Sequence, residues 1–324
     1  GDNSCADCNA NGIPDSCDIA SATSLDLNNN GRPDECEQDC NLNSIPDDED
    51  IANGTSQDCD NNGFPDECQT SFIAYNWVGP NNGSFTNPAY WNPMGVPGGD
   101  AMLTNSGGTD NRAILSAPGE TRFCSLTLGA TGSGKQILQV NGGSTLTPNN
   151  GSTVNDHGTV DLRGTLGGPT AAVNAGGKLT GYGLVTASVT NAGTVSRATG
   201  QTFSLSGDTF SNIAGGLLSA PISSVVFIQS PTITQAGTIE VRSQAAVALL
   251  ASLSNSSGAL IHLLGGTLGA ESLTNNLGGD VTGFGVIDCN VSNNGSMTFQ
   301  ADSELTGDLL NDGIIKRLPD GKLI

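Results

Sequence analysis

Four acidic loops carry the residues best able to do chemistry. They read DCNANGIPDSCD from Asp7, DLNNNGRPDECE from Asp26, DCNLNSIPDDED from Asp39 and DCDNNGFPDECQ from Asp58. Their starts are 19, 13 and 19 residues apart, so two loops make a 32-residue unit that occurs twice. Side-chain oxygens at positions 1, 3 and 5 of a tight loop converge on one point. A glycine at position 6 turns the chain, position 7 offers its carbonyl, and positions 9 and 12 close the shell. That donor set suits calcium, which takes six to eight oxygens in flexible geometry; zinc would take the cysteines or histidines. The expected ligands are Asp7, Asn9, Asn11, Asp15 and Asp18 in loop one, and Asp26, Asn28, Asn30, Asp34 and Glu37 in loop two. Loop three offers Asp39, Asn41, Asn43, Asp47 and Asp50; loop four offers Asp58, Asp60, Asn62 and Asp66. Ser44 replaces the turn glycine of loop three, and a neutral Gln69 ends loop four. With three carboxylates per loop, the expected affinity is weak, on the order of 10⁻⁴–10⁻³ M, as in extracellular modules.

The charge is concentrated with these loops. Residues 1–69 hold 17 of the 32 acids and one base, Arg32, for a net charge of 1 − 17 = −16; the other 255 residues carry 15 acids and 10 bases, or −5. Such a balance repels nucleic acid and anionic membranes. Seven of the nine cysteines also fall in residues 1–69, which points to an oxidising compartment. No apolar run approaches the ~18 residues of a membrane span. Nor is a signal peptide visible, so Gly1 is expected to follow a processed leader. The cysteines lie at loop positions 2 and 11, and spacing suggests Cys8–Cys17 and Cys59–Cys68 within loops, with Cys36–Cys40 joining the orphans. Cys5, Cys124 and Cys289 remain unassigned, either as free thiols or as links between molecules.

The D-x-[DN]-x-[DN]-G-x-x-D-x-x-[DE] pattern over residues 7–69 resembles thrombospondin type 3 repeats and, more loosely, dockerin loops. Its Asn-Gly-x-Pro-Asp-x-Cys form resembles the calcium repeats of large secreted bacterial surface proteins. A dockerin would need a helix beside each loop, and the 13 residues from Asp26 to Asp39 leave no room for one.

From about residue 120 the pattern changes to short Val/Ile/Leu-Thr-Ser runs. Turn markers recur at Asn155, Asn174, Asn191, Asn212, Gln235, Asn255, Asn275, Asn293 and Asn311, eight intervals averaging 19.5 residues. TGYGLVTASVTNAGTV from Thr180 and TGFGVIDCNVSNNGSM from Thr282 match directly. A period near 20 in small aliphatic residues is that of one solenoid coil, each adding about 4.8 Å. The chain is therefore expected to be mainly β, a right-handed parallel β-solenoid (β-helix) preceded by an irregular calcium-loop, disulfide-rich module. A β-sandwich is the competing fold. The solenoid resembles autotransporter passengers and other secreted adhesins.

The expected domains are 1–69, the calcium repeats; 70–119, an aromatic junction and solenoid cap; and 120–324, the solenoid. Phe72, Tyr75, Trp77, Phe85, Tyr90 and Trp91 crowd the junction, either capping the first coil or forming a platform for sugar rings. Catalytic constellations are scarce. The solenoid's acids are scattered, only Asp302 and Glu304 sharing a strand face, and His157 and His262 lie 105 residues apart without a partner motif. No nucleophile elbow, zinc spacing or phosphate loop occurs. These features suggest a secreted, non-enzymatic structural protein that takes calcium, with further copies of itself as partner, joined head to tail into a surface filament. The alternatives are a monomeric adhesin that binds a surface polysaccharide and a polysaccharide-active β-helix enzyme.

Overall fold

The computed structural model describes residues 6–60, 62–69, 73–197, 201–300 and 303–318. Two compact units divide the chain, Gly1–Ile73 and Ala74–Ile324. The protein is mainly β, 47% strand and 7% helix, and its second unit is a parallel β-solenoid of about 10 turns.

Each regular coil contributes one strand to each of three faces. On the first face Thr170–Val173, Ser188–Asn191, Thr209–Asn212 and Thr232–Gln235 stack in parallel. The second holds Gly158–Leu162, Lys178–Gly181, Thr194–Arg197 and Leu217–Ala220, and the third Leu184–Val185, Thr202–Leu205, Val225–Ile228 and Ala246–Leu249. Late in the chain, Leu260–Asn275 and Asp280–Asn293 run round the coil without a break, shifting register at Leu264/Gly266 and Gly269/Ser272. The parallel stacking already includes Ala74–Trp77 on Asp100–Asn105. Coil length varies from 16 residues (Lys178 to Thr194) to 30 (Gly83 to Ala113), because corners absorb insertions that faces cannot.

The strands alternate inward and outward, so every second residue enters the core. On the second face, Leu138, Val160, Leu179, Val195, Leu218, Ile239, Ile261 and Val281 form one column, all fully or almost fully buried. One methyl-rich side chain per rung fills a narrow bore, which is how a chain poor in aromatics still makes a dry interior. The matched TGYG and TGFG strings place Gly181 and Gly283 at one corner, with φ of 133° and 106°. A Cβ at either would strike the carbonyl of Leu162 or Leu263 one coil below.

The repeated amides are not solvent-facing turn residues. Asn191, Asn212, Gln235, Asn255, Asn275 and Asn293 end strands of the first face and are fully or almost fully buried. They form a ladder up the coils. Asn191 Nδ2 donates to Asn212 Oδ1 at 2.8 Å and Asn212 Nδ2 to Gln235 Oε1 at 2.8 Å. Asn255 donates to Asn275 at 2.8 Å, Asn275 to Asn293 at 2.7 Å, and Asn293 to Asn311 at 2.6 Å. Asn155 and Asn174 pair in the opposite sense, at the surface. The ladder is broken once: Gln235 Nε2 turns to the Gly237 carbonyl, and Asn255 Oδ1 is buried without a partner.

The junction aromatics plug the first coil. Trp77, Phe85 and Trp91 are buried, packed edge to face with ring centroids 5.0 and 5.1 Å apart, and Trp91 Nε1 donates to the Phe85 carbonyl at 2.7 Å. Their faces are spent on one another and the core. Phe72 lies outside the described residues.

Candidate metal centre

Each of the four loops is built by the same hydrogen bonds. The carboxylate at position 1 accepts two backbone N–H groups: Asn11 and Gly12 donate to Asp7 at 3.1 and 2.9 Å, and Asn62 and Gly63 to Asp58 at 3.1 and 2.9 Å. At position 9, one aspartate oxygen accepts the position-2 N–H. Cys8, Leu27, Cys40 and Cys59 thus hold Asp15, Asp34, Asp47 and Asp66 at 2.8–2.9 Å. The proline at position 8 then launches a short helix. Asp15–Ala20 and Asp47–Asn53 are α-helical after loops one and three, whereas single 3₁₀ turns, Asp34–Cys36 and Asp66–Cys68, follow loops two and four. After loop two, the 13-residue spacing leaves only that one turn.

Ser44 does not spoil loop three. It takes φ of 70°, near the 84–87° of Gly12, Gly31 and Gly63, and its N–H donates to Asp39 Oδ2 at 2.8 Å as the glycines' do. Loop four differs more. Gln69 Nε2 donates to the Phe64 carbonyl at 3.0 Å, and Asn62 Nδ2 donates to Gln69 Oε1 at 2.9 Å. An amide thus engages the position-7 oxygen that a cation would need.

The disulfides depart from the spacing-based expectation. Cys8 pairs with Cys36 and Cys40 with Cys68, each across 28 residues, in place of Cys8–Cys17, Cys36–Cys40 and Cys59–Cys68. Position 2 of one loop faces position 11 of the next, so the bond joins neighbouring loops and does not close one. Between loops two and three, Leu27 and Glu49 occupy these positions, and no bond is possible. Cys59 also takes part in a disulfide, and Cys124 in the solenoid is likewise not a free thiol; Cys17 is free and exposed, and Cys289 is free and buried. Cys5 lies outside the described residues.

Several of the loop carboxylates are buried. Asp15, Asp18, Asp34, Asp47 and Asp50 are each less than a tenth exposed. The one base of residues 1–69, Arg32, is exposed, and every ion pair among the described residues lies in the solenoid. Asp34 Oδ2, Asp47 Oδ2, Asp60 Oδ1 and Asp66 Oδ2 are buried with no hydrogen-bond partner. Burying an ionised carboxylate unpaired costs several kcal/mol, so such oxygens call for a cation. Oxygen-only donors in this number fit calcium, in loops one to three better than in loop four.

Local bonds tune the acids unequally. Thr55, ahead of Asn41 and Asn43, holds Asp50 below the usual carboxylate range. Ser24, the residue's own backbone N–H and Asn9 lower Glu35; Ser56, its own N–H and Asn41 lower Glu67. Asp66 is raised by burial and by the charges of Asp58, Asp60 and Glu67, against the Cys59 N–H. Glu35, Asp48 and Glu67, at position 10, escape a reading based on ligand positions; only their recurrence in three of four loops marks them.

The catalytic candidates do not come together. His157 sits in an exposed turn beside Asp156, while His262 faces outward on the second face between Glu240 and Thr282. Glu304 is exposed on the third face, and Asp302 lies outside the described residues. No helix among the described residues is long and apolar enough to cross a membrane. No protein-family model, curated protein or solved structure matches the chain.

Proposed function

We propose that this is an extracellular structural protein: a β-solenoid whose N-terminal repeats are held by calcium and whose copies join head to tail into a filament. The observation that carries the reading is the set of buried carboxylates in loops one to three, two of them with an unpartnered oxygen and none with a base. Calcium would neutralise these groups and fix the loops, supplying stability that a segment with almost no apolar core otherwise lacks. Paired cysteines suit an oxidising compartment.

The assembly half of the reading is supported by the last described coil. Leu309, in register with the buried Val291, is 38% exposed, and Leu310 and Ile314 beside it are 63% and 55% exposed. A second copy covering these side chains would make a heterologous contact that propagates. A sugar platform has less support, since the tryptophans that would form it are buried.

Negative-stain electron microscopy in millimolar calcium and after chelation tests this. Regular filaments that loosen on chelation are expected. Isolated rods in both conditions would eliminate the filament, and thermal stability indifferent to calcium would eliminate the metal.

A further inference from the structure

The four loops are wired in series by bonds from position 3 of one loop to an acid of the next that lies outside the ligand positions. Asn9 Nδ2 of loop one donates to Glu35 Oε1 of loop two at 3.0 Å. Asn28 Nδ2 of loop two donates to Asp48 Oδ2 of loop three at 2.9 Å, and Asn41 Nδ2 of loop three reaches Glu67 Oε1 of loop four at 3.3 Å. In each case position 3 of one loop meets position 10 of the next, and in the first and third links a cystine also joins positions 2 and 11.

An asparagine has two chemically opposite ends. It can offer its oxygen to a cation only if its nitrogen is held elsewhere. Here the oxygens of Asn9, Asn28 and Asn41 turn into their own loops, accepting the N–H of Asn11, Asn30 and Asn43 at 3.0–3.1 Å, while the nitrogens turn to the next loop's acid. We propose that Glu35, Asp48 and Glu67 are positioning residues that orient the position-3 amide of the preceding loop, so that each loop's calcium affinity depends on the loop after it. This rests on the calcium reading above.

One feature of the sequence fits this assignment of roles. Loop four has no fifth loop of the pattern after it, and its position 3 is Asp60, whose two oxygens are equivalent and need no orienting. The acids are themselves fixed: the buried hydroxyls of Ser24 and Ser56 donate to Glu35 and Glu67. An acid present merely for solubility would not be held by a buried donor.

Loop one is the cleanest place to test the coupling. Asn28 and Asn41 have second anchors in their own loops, at Glu37 and Asp50, whereas Asn9 Nδ2 has only Glu35 among the described residues. Calcium is titrated calorimetrically into the full chain, into Glu35→Ala, and into Glu35→Ala with Asn9→Asp. Removing an outer-shell partner of a metal ligand typically costs 10–100-fold in affinity. Glu35→Ala is therefore expected to weaken one site about tenfold or more, and Asn9→Asp to restore it, because a carboxylate presents oxygen either way round. A general loosening of the fold, or damage to loop two, would not be repaired by a change at position 9 of the chain. Glu35→Ala titrating like the parent, or a double variant as weak as Glu35→Ala, would overturn the proposal while leaving the calcium reading intact. A parent chain that takes up no calcium would overturn both.

Discussion

Replacing Gln235 by asparagine should stabilise the solenoid, although it removes a buried methylene. Along the ladder each amide nitrogen gives one hydrogen to the next side-chain oxygen and one to a backbone carbonyl, as Asn275 does to Asn293 and, at 3.2 Å, to Ser296. The extra methylene of Gln235 carries its nitrogen past Asn255, to the Gly237 carbonyl at 2.8 Å and toward Leu260 at 3.4 Å. That Gly237 oxygen already accepts the Leu260 N–H at 3.0 Å, so it loses nothing essential when the amide leaves. Asn255 Oδ1, by contrast, is buried and unpartnered. An orphaned buried acceptor costs about 1–3 kcal/mol, and a lost buried methylene about 0.8 kcal/mol. Gln235→Asn keeps both donor hydrogens engaged and satisfies the orphan, for a net gain of about 1 kcal/mol, or roughly 2–4 °C in Tm for a unit of this size. Asn275→Asp is the opposing control: it sets acceptor against acceptor at two contacts, and should cost about 3 kcal/mol or more. Both are read by far-UV circular dichroism during thermal and urea unfolding. A Gln235→Asn variant that melts below the parent would refute the ladder argument.

Three further outcomes follow from the loops and thiols. Ser44→Gly should stabilise the calcium repeats by about 1–2 kcal/mol, the usual left-handed penalty of a side chain, seen as a higher urea midpoint for that unit. In the chelated protein, Glu35, Asp50 and Glu67 have folded pKa values below their ordinary ones. Their contribution is present above the ordinary carboxylate range and is lost as pH falls through the folded values; Asp66, shifted upward, opposes it. Urea midpoints should therefore fall between neutral pH and pH values below that range, and a midpoint that rises would reverse the assignment. Of the two thiols free among the described residues, exposed Cys17 should react with iodoacetamide in the native state. Cys289, buried and pushed up to about 11 by burial and by Asp288, should react only after unfolding, as peptide mapping would reveal.

Much of this protein was decided by local spacing. Loop geometry needs only a dozen consecutive residues, so the tight turn of each loop is legible in the sequence; even Ser44 adopts the turn its position demands. The coil period is equally legible, because parallel stacking forces equivalent residues to recur once per turn. What spacing cannot decide is which face of a loop or coil meets which neighbour. Cys8 was closer in sequence to Cys17 than to Cys36, yet position 2 faces the following loop, and chain distance gives no hint of that. The recurring amides read as turns because asparagine usually serves there; stacking one coil on the next buries them instead, where the neighbouring coil's amide and nearby backbone groups satisfy them. Glu35, Asp48 and Glu67 look like ordinary surface acids until the loops are packed together. Composition and period determine what each repeat can be, and contact between repeats, made by residues far apart along the chain, determines what each side chain does.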